Sequence, residues 1–546
     1  MGFKDKLRNI KDCVANSMIY NVYYNEDLDS SLVYLESRDG LDFTGNIFRI
    51  AEELSTGKYG DLKIYVHAKP QVVDKIRALE KNYNLKIDKI ITKEANATKV
   101  LEKAKYIFTD SGIRPKYVKR EGQIFVDTWH GTPLKVMGSD NIPEEHRLGN
   151  VQHPFLAADY LLYPNDFMYE KMINAYMIEK MYPGKILLEG YPRNSVFFDE
   201  TRRLEVKGQL GLSDMEVFIY MPTFRGILME RNEEGQKDEV ESYLSQLDSR
   251  LNDNQVLFAK LHVLNASKID FSKFSHVRPF PQGFELYDVI NVADVLITDY
   301  SSVFFDFANS KRKIILFNYD EADYESYRGF YFPLSDLPFP KVQDIDELVK
   351  ELNAPKDYDD SEFIERFCTY DSPDAVENIC RCIFKGEDTC RIETIGNGNP
   401  NVLLFAGDLS DNESTRKLWS FLEGVDRSKY NFFITYKQWD ENILNNHVDL
   451  FRNLPSDVEV LPLRFNLLPT FKEKLDYDKF ISNKGNVKSD LTERLLKRSF
   501  IRQYSNFQFD ALIDFDKNDS YVSLMFSQVI EENKIKFKNF IKSNFS

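Results

Sequence analysis

The chain has 546 residues, a formal net charge of -16 and 42% hydrophobic residues, which indicates a folded protein of about three or four domains. So acidic a chain lacks the broad basic surface of a nucleic-acid binder, and we expect no nucleic-acid partner. The five cysteines are scattered and form no CxxC pair: Cys13, Cys368, Cys380, Cys382 and Cys390. They predict reduced thiols in a cytoplasmic protein, without a disulfide framework or a metal site.

The first twenty residues mix apolar and basic side chains. Apolar residues recur at helical spacing, at Phe3, Leu7, Ile10, Val14 and Met18, and lysines and an arginine lie between them. An amphipathic helix over 1–20 is predicted, which either lies on a membrane surface or packs on its own domain. No apolar run approaches the roughly 20 residues that span a bilayer, and no signal peptide is visible.

Short apolar strands alternate with helical stretches from about residue 17 to 390. Several strands are continuous apolar runs, as expected for strands buried on both faces of a parallel sheet. The predicted strands cover 60–66, 105–109, 123–128, 160–163, 185–188, 217–221, 256–261, 295–298 and 313–317. This pattern predicts the α/β class. A charged stretch near 196–212 divides it into two Rossmann-type domains, over 21–198 and 199–392, which face each other across a cleft.

A third α/β unit is predicted at the carboxyl end. A linker at 393–400 contains Gly396-Asn397-Gly398-Asn399-Pro400, a composition typical of flexible connections. The unit over 401–546 then starts with a strand at 401–405, a helix at 414–422 and a strand at 430–436, and a further strand is placed at 509–515. We expect this unit to have a small core of its own.

The first motif that carries chemistry is Thr128-Trp129-His130-Gly131-Thr132-Pro133-Leu134-Lys135. A strand ends, a histidine follows at once, and a Gly-Thr-Pro turn is expected to open a helix, because Pro is favoured at the first helical position. His130 is therefore expected at the mouth of the cleft, where an imidazole can take a proton from a hydroxyl near neutral pH. A structural histidine bonded to a nearby carbonyl is the alternative.

The second motif is Lys260-Leu261-His262. On a strand over 256–261 the two polar side chains would share a face, because side chains alternate. A cation beside a histidine suits a phosphate site, whereas a snorkelling lysine and a half-buried histidine are the alternative.

The third motif is Asp299-Tyr300-Ser301-Ser302, with Asp306 in the helix that follows a buried strand. Ser301 or Ser302 is expected to cap that helix, whose free N–H groups and hydroxyls would form an anion site. An ordinary capped helix is the alternative.

Arginines at three turns add positive charge: Arg193, Arg225 and Arg328. A guanidinium can hold a phosphate in a planar fork, and it can equally form an ion pair. No Walker-type loop, HExxH, G-x-S-x-G or paired aspartates at a strand end are visible in the first 390 residues, so metal-dependent sugar transfer has little support.

Taken together and in this order, these segments resemble the CDP-glycerol glycerophosphotransferases, the teichoic acid polymerases. The resemblance covers roughly residues 15–390 and rests on the three motifs together with Gly190-Tyr191-Pro192-Arg193-Asn194, Pro222-Thr223-Phe224-Arg225 and Arg328-Gly329-Phe330. The chain departs from the family pattern at Val263, Ser195 and Met221. The 401–546 unit looks like half of a GT-B glycosyltransferase.

The resemblance implies a GT-B-like pair of domains and a metal-independent enzyme at the inner face of a bacterial membrane. It implies transfer of glycerol phosphate or ribitol phosphate from a CDP-activated donor, without a cofactor, to a lipid-linked or growing teichoic acid or capsule polymer. His130 and His262 would be the functional histidines. The donor phosphates would meet Ser301, Ser302, Lys260, Arg225, Asp299 and Arg328, and other cleft residues would be Gly131, Thr132, Lys135, Arg193 and Asp306.

Two other functions stay open at this point. A GT-B glycosyltransferase would release a nucleoside diphosphate from a nucleotide sugar, not CMP. A non-catalytic polymer-binding protein would keep its function without His130.

Overall fold

The protein contains three separate β-sheets flanked by helices. The computed structural model describes residues 3–223, 233–261, 269–321, 329–482, 489–505, 507–516, 522 and 524–526. The largest sheet has eight strands, the next has six and the third has four. We call the parts of the chain around these sheets the first, second and third units.

The first sheet has the strand order β14-β7-β6-β5-β4-β1-β2-β3. Its strands are β1 (Asp29–Glu36), β2 (Lys63–His67), β3 (Lys89–Ile91), β4 (Ala104–Thr109), β5 (Ile124–Asp127), β6 (Tyr160–Tyr163), β7 (Lys185–Leu188) and β14 (Arg391–Glu393). All neighbours are parallel except β14. Chain order reverses between β1 and β4, and such a switch point opens a crevice at the carboxyl ends of the strands.

The second sheet repeats this plan with the order β10-β9-β8-β11-β12-β13. Its parallel strands are β8 (Glu216–Met221), β9 (Gln255–Ala259), β10 (Val277–Pro279), β11 (Val295–Thr298), β12 (Lys313–Phe317) and β13 (Lys341–Val342). The switch point lies between β8 and β11. The predicted pair of doubly wound α/β units is therefore confirmed.

The third sheet has the order β17-β16-β15-β18, all parallel. Its strands are β15 (Asn401–Phe405), β16 (Asn431–Thr435), β17 (Val458–Val460) and β18 (Ala511–Asp514). The four described strands have the same relative order as the first four strands of the second sheet in chain order.

Helices cover the faces of all three sheets. Those of the first unit are Phe3–Asn21, Gly45–Ser55, Val73–Asn82, Glu94–Lys103, Gly149–Ala157, Asp166–Ala175 and Ala375–Cys380. Those of the second are Glu200–Gln209, Glu233–Asp248, Leu286–Val292, Val303–Phe307, Ile345–Asn353 and Ser361–Phe367. The third has Glu413–Gly424, Glu441–Asn453, Phe471–Ser482 and Asp490–Tyr504. No helix in the described ranges is long and apolar enough to cross a bilayer.

The strand predictions miss β1 and five strands of only two or three residues, which are β3, β10, β13, β14 and β17. The central strand β1 was not predicted, because its apolar run of Leu32–Leu35 is bounded by Asp29-Ser30-Ser31 and by Glu36. Strand β9 ends at Ala259, so Lys260 follows the strand and does not lie within it. The argument that alternation puts Lys260 and His262 on one strand face therefore fails.

The boundary predicted at residue 392 does not match the end of the second unit. Helix Ala375–Cys380 packs on Gly45–Ser55, and β14 pairs with β7 of the first sheet. The chain thus crosses back to the first unit well before residue 392. The segment after it is also tied down, because the Asn397 and Asn431 side-chain amides exchange two 2.8 Å hydrogen bonds.

The third unit does not have a separate core. Apolar residues of the first and third sheets belong to one continuous buried cluster, which includes Leu161 and Leu187 together with Leu403 and Leu461. Buried polar contacts complete the junction: Gln152 Nε2 donates to the Val460 carbonyl at 2.8 Å, and His153 Nε2 lies 2.5 Å from the Arg502 carbonyl oxygen. The expectation of an independent core is wrong, because the buried residues of the third unit continue without a break into the core of the first unit.

The N-terminal helix has one packed face and one exposed face. Cys13, Ile19 and Tyr20 are buried, and the Asn16 amide donates to the Pro469 carbonyl of the third unit at 3.1 Å. Ile10, Val14 and Met18 on the other face remain about half exposed (50%, 53% and 49%). All five cysteines are free and buried.

Candidate active site

The candidate site lies where the switch points of the first and second sheets meet. The segment after β5 carries His130 and Gly131, and the segment after β11 carries Ser301 and Ser302. A Cβ atom placed on Gly131 would lie 2.8 Å from Ser302 Oγ. The first and third sequence motifs, 170 residues apart, are therefore in direct contact across the cleft.

His130 is held by the loop that follows β4. Its Nδ1 lies 2.7 Å from the main-chain carbonyl oxygen of Asp110. Because a carbonyl only accepts, Nδ1 carries the proton and Nε2 of the neutral ring keeps its lone pair. The ring is solvent-exposed at the cleft, yet surrounding protein desolvates its charged form and lowers the pKa below 6.5, assisted by the charges of Arg193 and Arg38. The imidazole is thus a neutral base at physiological pH.

The backbone before His130 is conformationally unusual. Trp129 has a φ of +50°, which a bulky residue rarely adopts. Its N–H donates to Asp127 Oδ1 at 2.9 Å, and its ring packs edge-on against Phe155 and Tyr176. Burial raises the pKa of Asp127 to about 7. The strained residue is fixed on both sides, and it sets the direction in which the chain presents His130.

A buried ion pair joins the two halves of the site. Arg193 Nη2 lies 2.8 Å from Asp306 Oδ2, and Arg193 Nη1 donates to the His130 carbonyl at 2.9 Å. Tyr287 Oη donates to the same Asp306 carboxylate at 3.0 Å. Arg193 is therefore engaged within the protein, and its predicted alternative as an ion pair is the one observed. Its contacts position His130 against the Ser302 segment.

A second cluster of charged side chains, farther from the cleft, joins the first and second units. Arg49 and Arg202 both contact Asp288, at 2.8 and 2.6 Å. Although burial raises the pKa of Asp288, the two guanidinium groups outweigh it and hold that pKa below its ordinary value. Glu285 accepts from Thr44 Oγ1 at 2.8 Å and from the Gly45 N–H at 2.9 Å.

The serines do not cap the helix in the predicted way. Ser302 occupies the N-cap position of Val303–Phe307, but its side chain makes no capping hydrogen bond and its backbone is already helical. The prediction of a serine cap is wrong, because this helix starts directly from a turn. Both serines are partly exposed in the cleft.

Asp299 organises the switch point of the second sheet. Its carboxylate accepts from the Thr223 N–H at 2.8 Å and from the Thr223 hydroxyl at 2.7 Å. It thereby ties the segment after β11 to the segment after β8. In these contacts Asp299 positions the loops on either side of the crevice.

Lys260 faces the first unit from the end of β9. Its Nζ lies 5.4 Å from the centre of the Phe280 ring. Burial lowers the pKa of Lys260, and the charges of Lys75 and Arg38 lower it further while Asp42 opposes them. The side chain is thus close to cations of the first unit, in an environment suited to an anion.

The remaining predicted cleft residues have other partners. Thr132 is buried, and its hydroxyl accepts from the Asn165 amide at 3.0 Å, so it supports the turn and does not line the cleft. The helix predicted after Pro133 is wrong, because this segment is extended and pairs with another part of the chain. Lys135 forms an antiparallel bridge with Phe330, flanked by hydrogen bonds from Val136 N–H to the Gly329 carbonyl (3.0 Å) and from Tyr331 N–H to the Leu134 carbonyl (2.9 Å). His262, Arg225 and Arg328 lie outside the described residues.

Sequence reasoning missed Asp110 and Arg38. The Asp110 carboxylate accepts from Ser37 Oγ and from the Arg38 N–H, both at 2.7 Å, while its carbonyl holds His130. Asp110 directly follows a strand that was predicted, so the same strand-end rule that found His130 would have found it. Arg38 follows β1, which was not predicted. No group of three potential metal ligands occurs among the residues described.

Comparisons with known proteins agree with this architecture. A family model described as CDP-Glycerol:Poly(glycerophosphate) glycerophosphotransferase matches residues 18–385. The teichoic acid poly(glycerol phosphate) polymerase of Bacillus spizizenii is 29% identical over 295 residues, which are 50% of this chain and 73% of that protein. The teichoic acid glycerol-phosphate transferase of Staphylococcus aureus is 32% identical over 282 residues, 48% of this chain and 71% of that protein.

A solved structure of the wall teichoic acid polymerase TagF shares the fold, with a TM-score of 0.59 and 24% identity over 70% of this chain and 97% of that one. The family match ends at residue 385, so the third unit lies beyond it. Since the match covers most of the chain and both units that form the cleft, the chain belongs to the CDP-glycerol:poly(glycerophosphate) glycerophosphotransferase family.

Proposed function

We propose that this chain transfers glycerol phosphate or ribitol phosphate from a CDP-activated donor to a hydroxyl of a growing or lipid-linked teichoic-acid-type polymer, releasing CMP. The observation that carries the proposal is the contact between the His130–Gly131 segment and Ser302 across two facing switch points. The family membership and the names of the relatives support the same reaction class.

The proposed step is a direct displacement at phosphorus. The acceptor hydroxyl attacks the β-phosphorus of the donor, its proton passes to Nε2 of His130, and the bond from that phosphorus to the bridging oxygen breaks. CMP leaves with the bonding electron pair, and a new phosphodiester joins the polyol to the acceptor. Catalysis of such a transfer depends mainly on positioning and on neutralising charge.

The chain supplies these contributions from both sides of the cleft. Ser301 and Ser302 offer hydroxyls to the donor phosphates, and Lys260 adds positive charge nearby. Asp299 fixes the loop on which the serines stand. In this proposal His262, Arg225 and Arg328 have the donor-side roles that the family resemblance implies.

The test measures nucleotide release by the purified full chain. CDP-glycerol and CDP-ribitol are supplied separately with a poly(glycerol phosphate) primer, and CMP is quantified. We expect CMP from one or both donors. Release of a nucleoside diphosphate from a nucleotide sugar instead of CMP would favour a glycosyltransferase, and primer binding without any turnover would favour a polymer-binding protein.

Substitution of His130 tests the proposed general base most directly. His130→Ala is expected to lower turnover by about 10²–10⁴-fold, the usual contribution of a general base. His276→Ala is the matched control, because that histidine lies at β10, where its Nδ1 is 3.3 Å from the Gln255 carbonyl oxygen. Turnover of His130→Ala within a few-fold of the parent would rule out the proposed base.

We also propose that the N-terminal helix contacts the inner surface of the cell membrane, where lipid-linked acceptors are found. Ile10, Val14 and Met18 are spaced by four residues and half exposed on one face, and Lys11 stands beside them. Replacing all three apolar residues with Gln should abolish co-flotation with anionic lipid vesicles. Leu204→Gln, at an equally exposed leucine of the second unit, should not, and equal binding by both variants would contradict the proposal.

A further inference from the structure

The loop between β1 and helix Gly45–Ser55 has a conformation that needs support. Arg38, Asp39 and Gly40 have consecutive φ values of +49°, +54° and +77°, a left-handed run that side chains other than glycine rarely adopt. Strain of this kind persists only where surrounding contacts hold it. Here Ser37 Oγ and the Arg38 N–H both bind the Asp110 carboxylate, and the Lys69 N–H donates to the Gly40 carbonyl at 2.7 Å.

Packing beneath the loop leaves it little freedom. A Cβ atom on Gly40 would lie 2.7 Å from the ring of His67, so the loop rests directly on that buried side chain. His67 belongs to a buried charged group, in which Arg114 Nη2 lies 3.0 Å from Glu36 Oε2 and 2.7 Å from His67 Nδ1. The loop is therefore a rigid platform, and the Arg38 side chain that it carries is exposed.

The position of this loop is the one where doubly wound sheets bind ligands. It follows β1, and Asp110 follows β4, so the two flank the switch point of the first sheet. Asp110 connects them to the site, because its carboxylate holds the Arg38 N–H and its carbonyl holds the His130 ring. Arg38 also acts electrostatically on both His130 and Lys260, which places its charge beside the cleft.

The exposed guanidinium of Arg38 forms no hydrogen bond or ion pair within the ranges that the structure describes. Asp42 is paired with Lys75, and the Asp110 carboxylate accepts from the Arg38 main-chain N–H. On the same loop, burial and the charges of Glu36 and Asp110 raise the pKa of Asp39, while Arg114 and Arg464 oppose them. A partly screened guanidinium beside a base is an arrangement suited to a phosphate.

We propose that Arg38 binds the phosphate nearest the terminal hydroxyl of a polyanionic acceptor and so aligns that hydroxyl with His130. This inference rests on the proposed function and assigns an acceptor-side contact to it. The donor phosphates are assigned to the second unit, whereas Arg38 belongs to the first unit, on the side of the base. In a polyol-phosphate polymer the last phosphodiester is one polyol away from the attacking hydroxyl, so a cation beside the base meets it.

The experiment separates acceptor binding from chemistry. CMP release by the full chain is measured against the concentration of a glycerol-phosphate oligomer and, separately, of an uncharged polyol acceptor. Arg38→Gln should raise the KM for the oligomer about ten- to a hundredfold, as expected for loss of a charge-assisted contact, with little change in the KM for the donor or for the uncharged acceptor. Arg38→Lys should recover part of the loss because it keeps the charge without the fork.

The control is Arg77→Gln, since Arg77 is an exposed arginine of the same unit whose partner is Glu80. Gln is unbranched at Cβ like Arg, so it fits the left-handed position, and an unchanged thermal midpoint checks folding. Unchanged KM for the oligomer, or an equal rise for the uncharged acceptor, would overturn the role of Arg38. If the parent releases no CMP from any CDP-polyol, the proposed function itself fails, and binding of a fluorescent oligomer without donor then decides on Arg38 separately.

Discussion

The first unit meets its two neighbours in different ways. Toward the second unit it presents the carboxyl edge of its sheet. The contacts there include buried ion pairs such as Arg193–Asp306 and Arg49–Asp288, together with apolar packing of Phe167 on Phe367. Toward the third unit it presents an apolar surface that merges into one continuous core. The directional polar contacts at the first junction fix the loops that carry the candidate site. The junction with the third unit carries none of the candidate site residues and is formed mainly by apolar burial.

Of the changes that test this comparison, removal of the third unit should have the largest effect on folding. A chain that ends at residue 394, after β14, would expose the apolar surface now covered by the third sheet. Hydrophobic burial contributes about 25 cal/mol per Å², and an ordinary domain is stable by only about 5–15 kcal/mol, so uncovering this surface should strongly destabilise the first unit. We expect an aggregated or unfolded product in size-exclusion chromatography.

A point change in the same junction gives a graded control for the truncation. His153→Ala removes a buried ring and its hydrogen bond to the Arg502 carbonyl, and should cost about 2–4 kcal/mol of unfolding free energy without abolishing folding. A soluble, monodisperse and fully active chain ending at 394 would show that the third unit is dispensable.

Breaking the polar junction should affect stability and activity together. Asp306→Asn leaves the buried Arg193 without its carboxylate, which should cost about 3–5 kcal/mol in urea unfolding. Turnover should fall as well, since Arg193 also holds the His130 carbonyl. Glu413→Gln, in an exposed pair with Lys417, should change the unfolding free energy by less than about 0.5 kcal/mol. An Asp306→Asn protein as stable as the parent would mean that the pair does not join the units.

The contact between Gly131 and Ser302 gives the most local test of the junction between the first and second units. Gly131→Ala places a methyl group 2.8 Å from Ser302 Oγ, at a φ of +156° that side chains rarely adopt. It should reduce turnover about tenfold, both by pushing the two segments apart and by straining the backbone. Adding Ser302→Ala leaves the nearest Ser302 atom, Cβ, at 3.5 Å, an ordinary contact. The double variant should therefore recover part of the loss, and strictly additive effects on kcat would show that the two segments are not in contact.

Strand-end reasoning on the sequence correctly placed part of the candidate site at the carboxyl edges of the sheets. His130 and Ser301 follow strands whose apolar runs are plain, and their placement at the carboxyl edge needs only the topology of parallel sheets. Arg38 escaped because β1 begins and ends with polar residues, so its four apolar residues did not predict a strand. The strand-end rule applies to Arg38 as well, but it could not be used there because β1 was not predicted.

The junction with the third unit was beyond sequence reasoning for a different reason. His153 and the Arg502 carbonyl are 349 positions apart, and nothing local in either segment indicates the other. The Gly-Asn segment at 396–400 predicts flexibility from composition alone, whereas Asn397 is fixed by Asn431. Which apolar faces meet depends on surfaces built from many segments, and composition does not encode it.

The smallest expected effect concerns the pH dependence of the candidate base. Burial, together with the charges of Arg193 and Arg38, holds the pKa of His130 below 6.5, so the neutral ring needed to accept a proton persists into mildly acidic solution. The acid limb of kcat/KM for CMP release, which reports the free enzyme, should therefore lie below pH 6.5. Arg38→Gln removes a positive charge that disfavours the imidazolium and should move this limb to higher pH.

Because Arg38 is exposed, added salt should shrink the difference between the two pH profiles, whereas the part of the shift that burial causes should survive. Arg77→Gln, which alters a cation of the same unit outside the cleft, should leave the limb in place. A limb at or above pH 6.5 in the parent would contradict the neutral base. An unchanged limb in Arg38→Gln would mean that the charge at residue 38 does not reach the ring, and the two switch-point loops would then act independently.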